Sequence, residues 1–210
     1  MLYKWLLGAL SIASCAIAYA EPQAALAPST ESGAITYVID EGTTESAYRP
    51  ADRQLAVWAL EAWARSSAGA LRFEPAEARD ALIRVIWVPA DDGRYGEMLP
   101  LTVNGRRGAA VYIHPDTDGL GPGIARRARE DPLLRDAIVY LTCLHELGHA
   151  LGLPHTAADA DVMYSFGDGG DIPAFFGRYR ERLSTRGDIA NVSGLSADDV
   201  ARLRALYPTY

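Results

Sequence analysis

Residues 145–155 read HELGHALGLPH, the pattern H-E-x-x-H-x-x-G-x-x-H. His145 and His149 are four residues apart, so on a helix they lie one turn apart on the same face. Gly152 can end that helix in a left-handed conformation that a side chain would resist. The chain can then turn back and bring His155 to the same place. We therefore predict a metal site with His145, His149 and His155 as its ligands.

The chemistry of these ligands points to zinc. Three imidazole nitrogens can hold Zn²⁺ at about 2.0–2.1 Å and leave a fourth position open to water, which is typical of catalytic zinc sites. Glu146 directly follows the first histidine and can reach such a water without binding the metal. At average residue usage, five fixed positions of this kind arise by chance on the order of once in 10⁵ chains of this length.

An apolar stripe supports a helix through the motif. Tyr140, Leu144, Leu147 and Leu151 recur at i, i+4, i+7 and i+11, a spacing that can face a protein core and leaves the histidines off the stripe. Cys143 lies about 200° round the helix from the first histidine. We predict that Cys143 is a small buried residue, neither a ligand nor a redox thiol.

With these residues in view, the chain resembles the metzincin zinc endopeptidases, and most closely their matrixin branch. The metzincin consensus is the long histidine motif followed by a Met-turn. Met163, eight residues beyond the last histidine, resembles the Met-turn methionine. Residues 34–39 resemble the first matrixin strand and residues 195–208 the closing helix. The resemblance therefore covers nearly all of residues 34–208.

The resemblance implies a fold and a function. It implies an α+β, metzincin-like (zincin) fold: a twisted mixed five-stranded sheet with two helices, an active-site helix, a Met-turn and a C-terminal helix. The lower part, after His155, is expected to be small and mostly irregular. The implied activity is that of a zinc endopeptidase acting on a protein or peptide substrate.

The resemblance also assigns roles around one catalytic Zn²⁺. Glu146 is expected to act as the general base that takes the proton of a zinc-activated water and passes it to the leaving amine. Met163 is expected to form an apolar floor and not to bind the metal. Tyr164 directly follows it, as in matrixins, so we do not count it as a ligand. Residues 165–194 should form the pocket wall beyond the cleaved bond, unless their aromatic residues only pack the lower part.

Two other functions remain open at this point. A non-catalytic zinc- and peptide-binding protein would keep the histidines, but Glu146 argues against it. A peptidase acting on short or cell-wall peptides would share the ligands and differ in its cleft. A closed, short cleft favours small peptides, whereas a long open sheet edge favours extended chains.

The N-terminus reads as an export signal. Residues 1–20 contain Lys4, an apolar stretch and an A-x-A cleavage site at 18–20, so we predict a signal peptide and a secreted or periplasmic protein. Residues 12–15 resemble a bacterial lipobox, and lipid anchoring through Cys15 is the alternative. A bacterial origin is expected because the exported chain would have no disulfide.

The remaining chain is divided at residue 33. Residues 21–33, rich in Ala, Pro and Ser, are predicted to be a flexible lead-in, and residues 34–210 the catalytic domain. The lead-in contains no cysteine, so the prodomain-cysteine latency typical of matrixins is not expected. The net charge of −7 gives no reason to expect nucleic acid as a partner. We expect a monomer with no transmembrane segment in the mature chain.

Local patterns predict the other elements. Pro100 cannot donate to a ladder, so the strand at 97–103 should lie at a sheet edge, where an extended peptide can add as another strand. Ser196 and Asp199 form a capping pair for the last helix. Further strands are predicted at 35–39, 71–73, 81–88 and 108–113, a turn at Asn104–Gly105, and a helix at 50–66 with Trp58 and Trp63 in the core.

Two loops complete the sequence. His114 precedes the sequence PDTDG at 115–119, which makes calcium binding possible; D-x-D-G alone is weak evidence, and we favour an ordinary loop. Residues 120–135, rich in Gly and Pro and then in arginine, are predicted to be a solvated connection to the active-site helix.

Overall fold

The computed structural model describes residues 25–27, 33–89, 95–166 and 170–209. The predicted signal peptide and Cys15 lie outside these residues. The strands are β1 (Ile35–Ile39), β2 (Phe73–Pro75), β3 (Ile83–Trp87), β4 (Gly96–Val103) and β5 (Arg106–Ile113). The helices are α1 (Asp52–Ser66), α2 (Pro122–Glu130), α3 (Pro132–Leu151), α4 (Ile172–Arg180) and α5 (Ala197–Leu206).

The five strands form one mixed sheet in the order β2-β1-β3-β5-β4. All neighbours are parallel except β4, which runs antiparallel to β5. The strand that contains Pro100 therefore lies at the edge, as predicted, because a residue without an N–H is tolerated there. Asn104 and Gly105 both have positive φ (50° and 74°), the conformation of a two-residue hairpin turn.

Helices α1 and α3 lie against each other, and the apolar stripe of α3 faces the core. Trp63 is fully buried, and its indole N–H donates to the carbonyl of Leu144 at 2.9 Å. Trp58 is only half-buried, with the guanidinium of Arg186 over its ring at 5.1 Å. The α+β fold with a five-stranded mixed sheet is confirmed, and β2 begins two residues later than predicted.

The predicted solvated connection at 120–135 is wrong. This segment forms α2 and the first turn of α3, with Ile124, Ala125 and Ala128 buried. Arg135, which we had placed among solvated arginines, is buried and forms a bidentate ion pair with Asp52 of α1. The sequence pattern could not show this pairing, because Asp52 is 83 residues away along the chain.

The lower part after His155 is more regular than predicted. It contains α4, α5 and a 3₁₀ segment at Arg186–Ala190. The side chain of Asp171 caps α4 by accepting from the Ala174 N–H at 2.8 Å. Tyr179 of α4 stacks on Tyr140 of α3 at 5.4 Å, so this aromatic residue packs the lower part.

Part of the predicted lead-in is packed against the domain. Leu26 is 1% exposed, and its N–H donates to the hydroxyl of Tyr207 at 2.8 Å. That hydroxyl donates in turn to the Leu151 carbonyl at the end of α3. Flexibility was predicted from the Ala, Pro and Ser content of this segment, which does not show these contacts because both partners are far away in the sequence. Nowhere in the described ranges is a helix both long and apolar enough to cross a membrane.

Candidate metal centre

Three histidine side chains converge beside the end of α3. The Nε2 atoms of His145 and His149 are 3.1 Å apart, those of His145 and His155 3.2 Å, and those of His149 and His155 3.0 Å. His145 is buried, His149 is half-buried and His155 is exposed. The cluster is therefore open to solvent on the side of His155, and the three residues could hold a metal ion.

Backbone carbonyls orient two of the rings. The Nδ1 atom of His145 is 2.6 Å from the Val162 carbonyl, and that of His149 is 2.8 Å from the Leu153 carbonyl. A carbonyl can only accept, so each Nδ1 carries the proton and each Nε2 presents a lone pair. Lone pairs this close repel each other unless a cation lies between them. Tetrahedral Zn²⁺ ligands at about 2.0–2.1 Å would be roughly 3.3–3.4 Å apart, so the spacing fits this ion.

Burial keeps the same two rings neutral. It lowers the pKa of His145 to about 3, with a further contribution from the neighbouring His149. Burial, followed by the charge of His155, lowers the pKa of His149 to about 4. Desolvation disfavours the charged imidazolium, and a neutral imidazole is the form that binds metals. Both rings are thus in the ligand form at neutral pH.

Gly152 produces the turn that brings in the third histidine. Its φ of 102° is in the left-handed region, as predicted, and its N–H donates to the His149 carbonyl at 2.9 Å. The N–H of Leu153 donates to the Gly148 carbonyl at 2.9 Å. These two bonds end the helix in a Schellman-like arrangement and reverse the chain.

Met163 lies under the ligand helix. It is completely buried, and a Cβ at Gly148 would collide with its sulfur and lie 3.0 Å from the Trp63 ring. The Met163 carbonyl accepts from the Thr156 N–H at 2.8 Å, which joins this turn to the residue that follows His155. Met163 thus packs as an apolar floor beneath the motif.

Asp199 has a second role that the sequence did not reveal. It caps α5 together with Ser196, as predicted. Its carboxylate also accepts from the Val162 N–H at 2.8 Å, and the carbonyl of the same residue orients His145. This link between α5 and the metal centre spans 37 residues, and no local sequence pattern marks it.

Glu146 lies on the same turn of α3 as His145, and its side chain is placed between this helix and the edge strand β4. It is 4% exposed, and burial followed by the charge of Glu97 raises its pKa to about 8. A Cβ at Gly96 would be 2.6 Å from the Glu146 Cγ atom and 2.7 Å from Oε1, so only glycine fits there. The first residue of β4 therefore touches the carboxyl group.

The other candidate residues do not join this centre. Cys143 is fully buried, which raises the pKa of its thiol, and it behaves as the predicted core residue. The Asp118 carboxylate pairs with Arg129, and the Asp116 carboxylate accepts from the Asp118 N–H at 2.9 Å. Within the part of the chain that the structure describes, the histidine triad alone gathers three or more residues able to hold a metal.

Fold and site together define a class. A mixed five-stranded sheet and a helix with two histidines, joined by a third histidine just beyond the helix end, agree with the metzincin fold. The matrixin family model matches residues 29–171, more than half of the chain, and the chain belongs to this family of zinc-dependent metallopeptidases. The match ends at Asp171, so α4 and α5 lie beyond it. No curated protein matches the chain.

Proposed function

We propose that this protein is a zinc-dependent endopeptidase that hydrolyses peptide bonds in extended protein substrates. The observation that carries the proposal is the convergence of three Nε2 atoms, two of which present lone pairs because a carbonyl accepts from the Nδ1–H of the same ring. Such a donor set can hold a cation, and the family to which the chain belongs uses zinc. His145, His149 and His155 would hold the ion.

When bound, Zn²⁺ would polarise the scissile carbonyl and lower the pKa of a water molecule to about 7. Glu146 supplies the proton transfer. Its carboxyl group accepts the proton of the attacking water and delivers it to the leaving amine. Burial raises the pKa of this group to about 8, which favours the protonated form at neutral pH. A cation bound to the adjacent histidines would favour the ionised form that can act as a base.

The edge strand offers a place for the substrate. Among the described residues, β4 has β5 as its only ladder neighbour, and Leu99, Pro100 and Thr102 are exposed. An extended peptide can add to such an edge through main-chain hydrogen bonds. Since Gly96, the first residue of β4, lies against Glu146, a peptide paired with the beginning of this strand would pass the proposed base. Peptide-like inhibitors that bind zinc should therefore protect the amides of β4 from hydrogen exchange.

One experiment tests the proposal. The purified protein is incubated with zinc and denatured proteins, with and without a chelator, and the new termini are sequenced. Internal cleavage that a chelator abolishes would support an endopeptidase. Cleavage restricted to short or cell-wall peptides would favour the alternative substrate class. Binding of zinc and peptides without any cleavage would instead identify a binding protein.

We further propose that the protein is exported and that residues 1–20 are removed. The motivating feature is the A-x-A site that ends at Ala20. Intact mass measurement of the natural protein would distinguish the outcomes. A mature chain that begins at Glu21 fits cleavage, a diacylglycerol on Cys15 fits a lipoprotein, and an intact Met1 would refute export by this signal.

A further inference from the structure

The C-terminal end of α3 leads directly into the metal centre. His149 lies on the last turn of the helix, and His155 follows the last helical residue, Leu151, by four positions. A helix leaves its last four carbonyl groups without partners inside the helix. In α3 these carbonyls belong to residues 148–151, and the donors that they find decide how firmly this end is held.

All four carbonyls accept a hydrogen bond, and two of the donors are side chains from distant parts of the chain. The two residues that follow the helix donate their backbone N–H groups to the first two carbonyls. The Ala150 carbonyl accepts from the guanidinium of Arg107 at 3.2 Å. The Leu151 carbonyl accepts from the hydroxyl of Tyr207 at 2.9 Å. These two side chains come from 43 and 56 residues away along the chain.

The hydroxyl of Tyr207 is held as a donor to the helix. It accepts from the N–H of the buried Leu26 at 2.8 Å, so its single proton is left for the Leu151 carbonyl. Burial raises the pKa of this hydroxyl to about 12, so the proton is present at neutral pH. Tyr207 directly follows α5, and this bond therefore joins the end of α5 to the end of the ligand helix.

Arg107 supports the same helix end with a charge. It is the second residue of β5 and lies opposite Thr102 of β4, so its guanidinium joins the edge hairpin to the ligand helix. The partial negative charge at the C-terminus of a helix attracts a cation, which adds to the hydrogen bond. The neighbouring Arg106 donates instead to the Ala27 carbonyl at 3.1 Å.

The turn after α3 is bonded to one ligand and leads to another. The Nδ1–H of His149 donates to the Leu153 carbonyl at 2.8 Å, two residues beyond the capped carbonyl of Leu151. His155 follows Leu153 by two residues. A shift of the helix end would therefore move the acceptor of His149 and the position of His155 together.

We propose that Tyr207 and Arg107 are positioning residues of the metal centre, which hold the end of α3 and with it the turn that orients His149 and carries His155. The assignment rests on the proposed zinc function. Tyr207 lies beyond the residues that the matrixin family model matches, so this support is not part of that match. Zinc affinity should therefore depend on two side chains that act through backbone carbonyls.

Paired tyrosine variants of the full-length protein test the assignment. Tyr207→Phe keeps the ring and deletes the hydroxyl. Tyr179→Phe is the matched control, because it deletes another tyrosine hydroxyl that donates to a backbone carbonyl, that of Val192 at 2.8 Å, outside α3 and the turn after it. Competition with a chelator gives the dissociation constants for zinc. We expect Tyr207→Phe to weaken zinc binding about 2- to 10-fold, as one neutral hydrogen bond is lost, and Tyr179→Phe to leave it unchanged.

Paired arginine variants provide an independent test. Arg107→Met keeps the apolar stem and deletes the donor to Ala150, and Arg106→Met makes the same change at the neighbouring position. We expect weaker zinc binding in Arg107→Met alone, by at least as large a factor, because a charged donor forms the stronger hydrogen bond. This pair decides the outcome if Tyr207→Phe does not fold.

Hydrogen exchange separates positioning from a general loss of stability. The amides of Gly152 and Leu153 close the turn after α3, so in the metal-free protein they should exchange faster in Tyr207→Phe than in Tyr179→Phe. The visible absorption of the cobalt(II)-loaded protein, which reports the geometry of the ligands, should also change in Tyr207→Phe alone. Zinc affinities equal to those of the matched controls would overturn the assignment, as would unchanged exchange of these two amides.

Cleavage assays keep this inference apart from the proposed function. If Tyr207→Phe and Arg107→Met lower the zinc affinity but the wild type cleaves no peptide, the positioning stands and the endopeptidase proposal fails. If the wild type cleaves peptides with zinc and both variants bind zinc as tightly as their controls, the function stands and the positioning fails. A wild-type protein that binds no zinc would overturn both.

Discussion

Helix α3 and the chain that follows Met163 both border the histidine triad, but they are built differently. α3 carries its ligands at fixed helical spacing, and its apolar stripe is fully buried. In the chain after Met163, the Phe166 ring packs against Tyr95, which precedes β4, and against Phe175 of α4. The spacing of the ligand histidines is therefore encoded in the local sequence, whereas the packing of the chain beside them depends on tertiary contacts.

The largest expected effect is loss of the metal. His149→Ala removes one of three converging nitrogens, and the remaining two cannot complete a catalytic zinc site. We expect the variant to retain no stoichiometric zinc and to lose all zinc-dependent cleavage, as measured by elemental analysis and peptide hydrolysis. Full zinc content in this variant would show that the triad is not the ligand set.

The next effect separates chemistry from metal binding on the same helix. Glu146→Gln keeps size and polarity but cannot accept a proton, so cleavage should fall by at least 10²–10⁴-fold. Zinc content and folding should remain, because the ligands are untouched. Steady-state kinetics with elemental analysis checks both. If the variant cleaves as fast as the wild type, Glu146 is not the base.

A smaller effect probes the tertiary support of α3. Asp199→Ala removes the acceptor of the Val162 N–H and so loosens the carbonyl that orients His145. Loss of a direct partner of a ligating histidine typically costs 10–100-fold in metal affinity, and Asp199 acts through Val162, so we expect a loss of about 10-fold or less. Because Asp199 also caps α5, the control is Ser196→Ala, which weakens the cap but leaves the bond to Val162. Competition with a zinc chelator measures both, and equal affinities would contradict the orienting role.

The smallest effect concerns pH. Burial lowers the pKa values of His145 and His149 in the folded protein below the usual value of about 6.5. The unfolded chain therefore binds more protons as pH falls from about 6.5, and the metal-free protein should lose stability, on the order of 1 kcal/mol per histidine at pH 6. Urea unfolding of the metal-free protein between pH 7 and 5 checks this. A constant free energy of unfolding would mean that the histidines are already solvated.

Local sequence patterns were enough to predict the candidate metal centre. The ligand spacing, the left-handed turn at Gly152 and the edge position of Pro100 all follow from local geometry, and the structure has them as predicted. They could be predicted because each depends on residues within a few positions along one chain segment.

Tertiary structure decided the rest. The burial of Arg135 against Asp52, the link from Asp199 through Val162 to His145, and the contact of Tyr95 with Phe166 each join residues far apart in the chain. An arginine or a phenylalanine has the same local propensity whether it meets solvent or such a partner. Only folding brings the partner close, and one of these contacts, that of Asp199 with Val162, supports the carbonyl that orients His145.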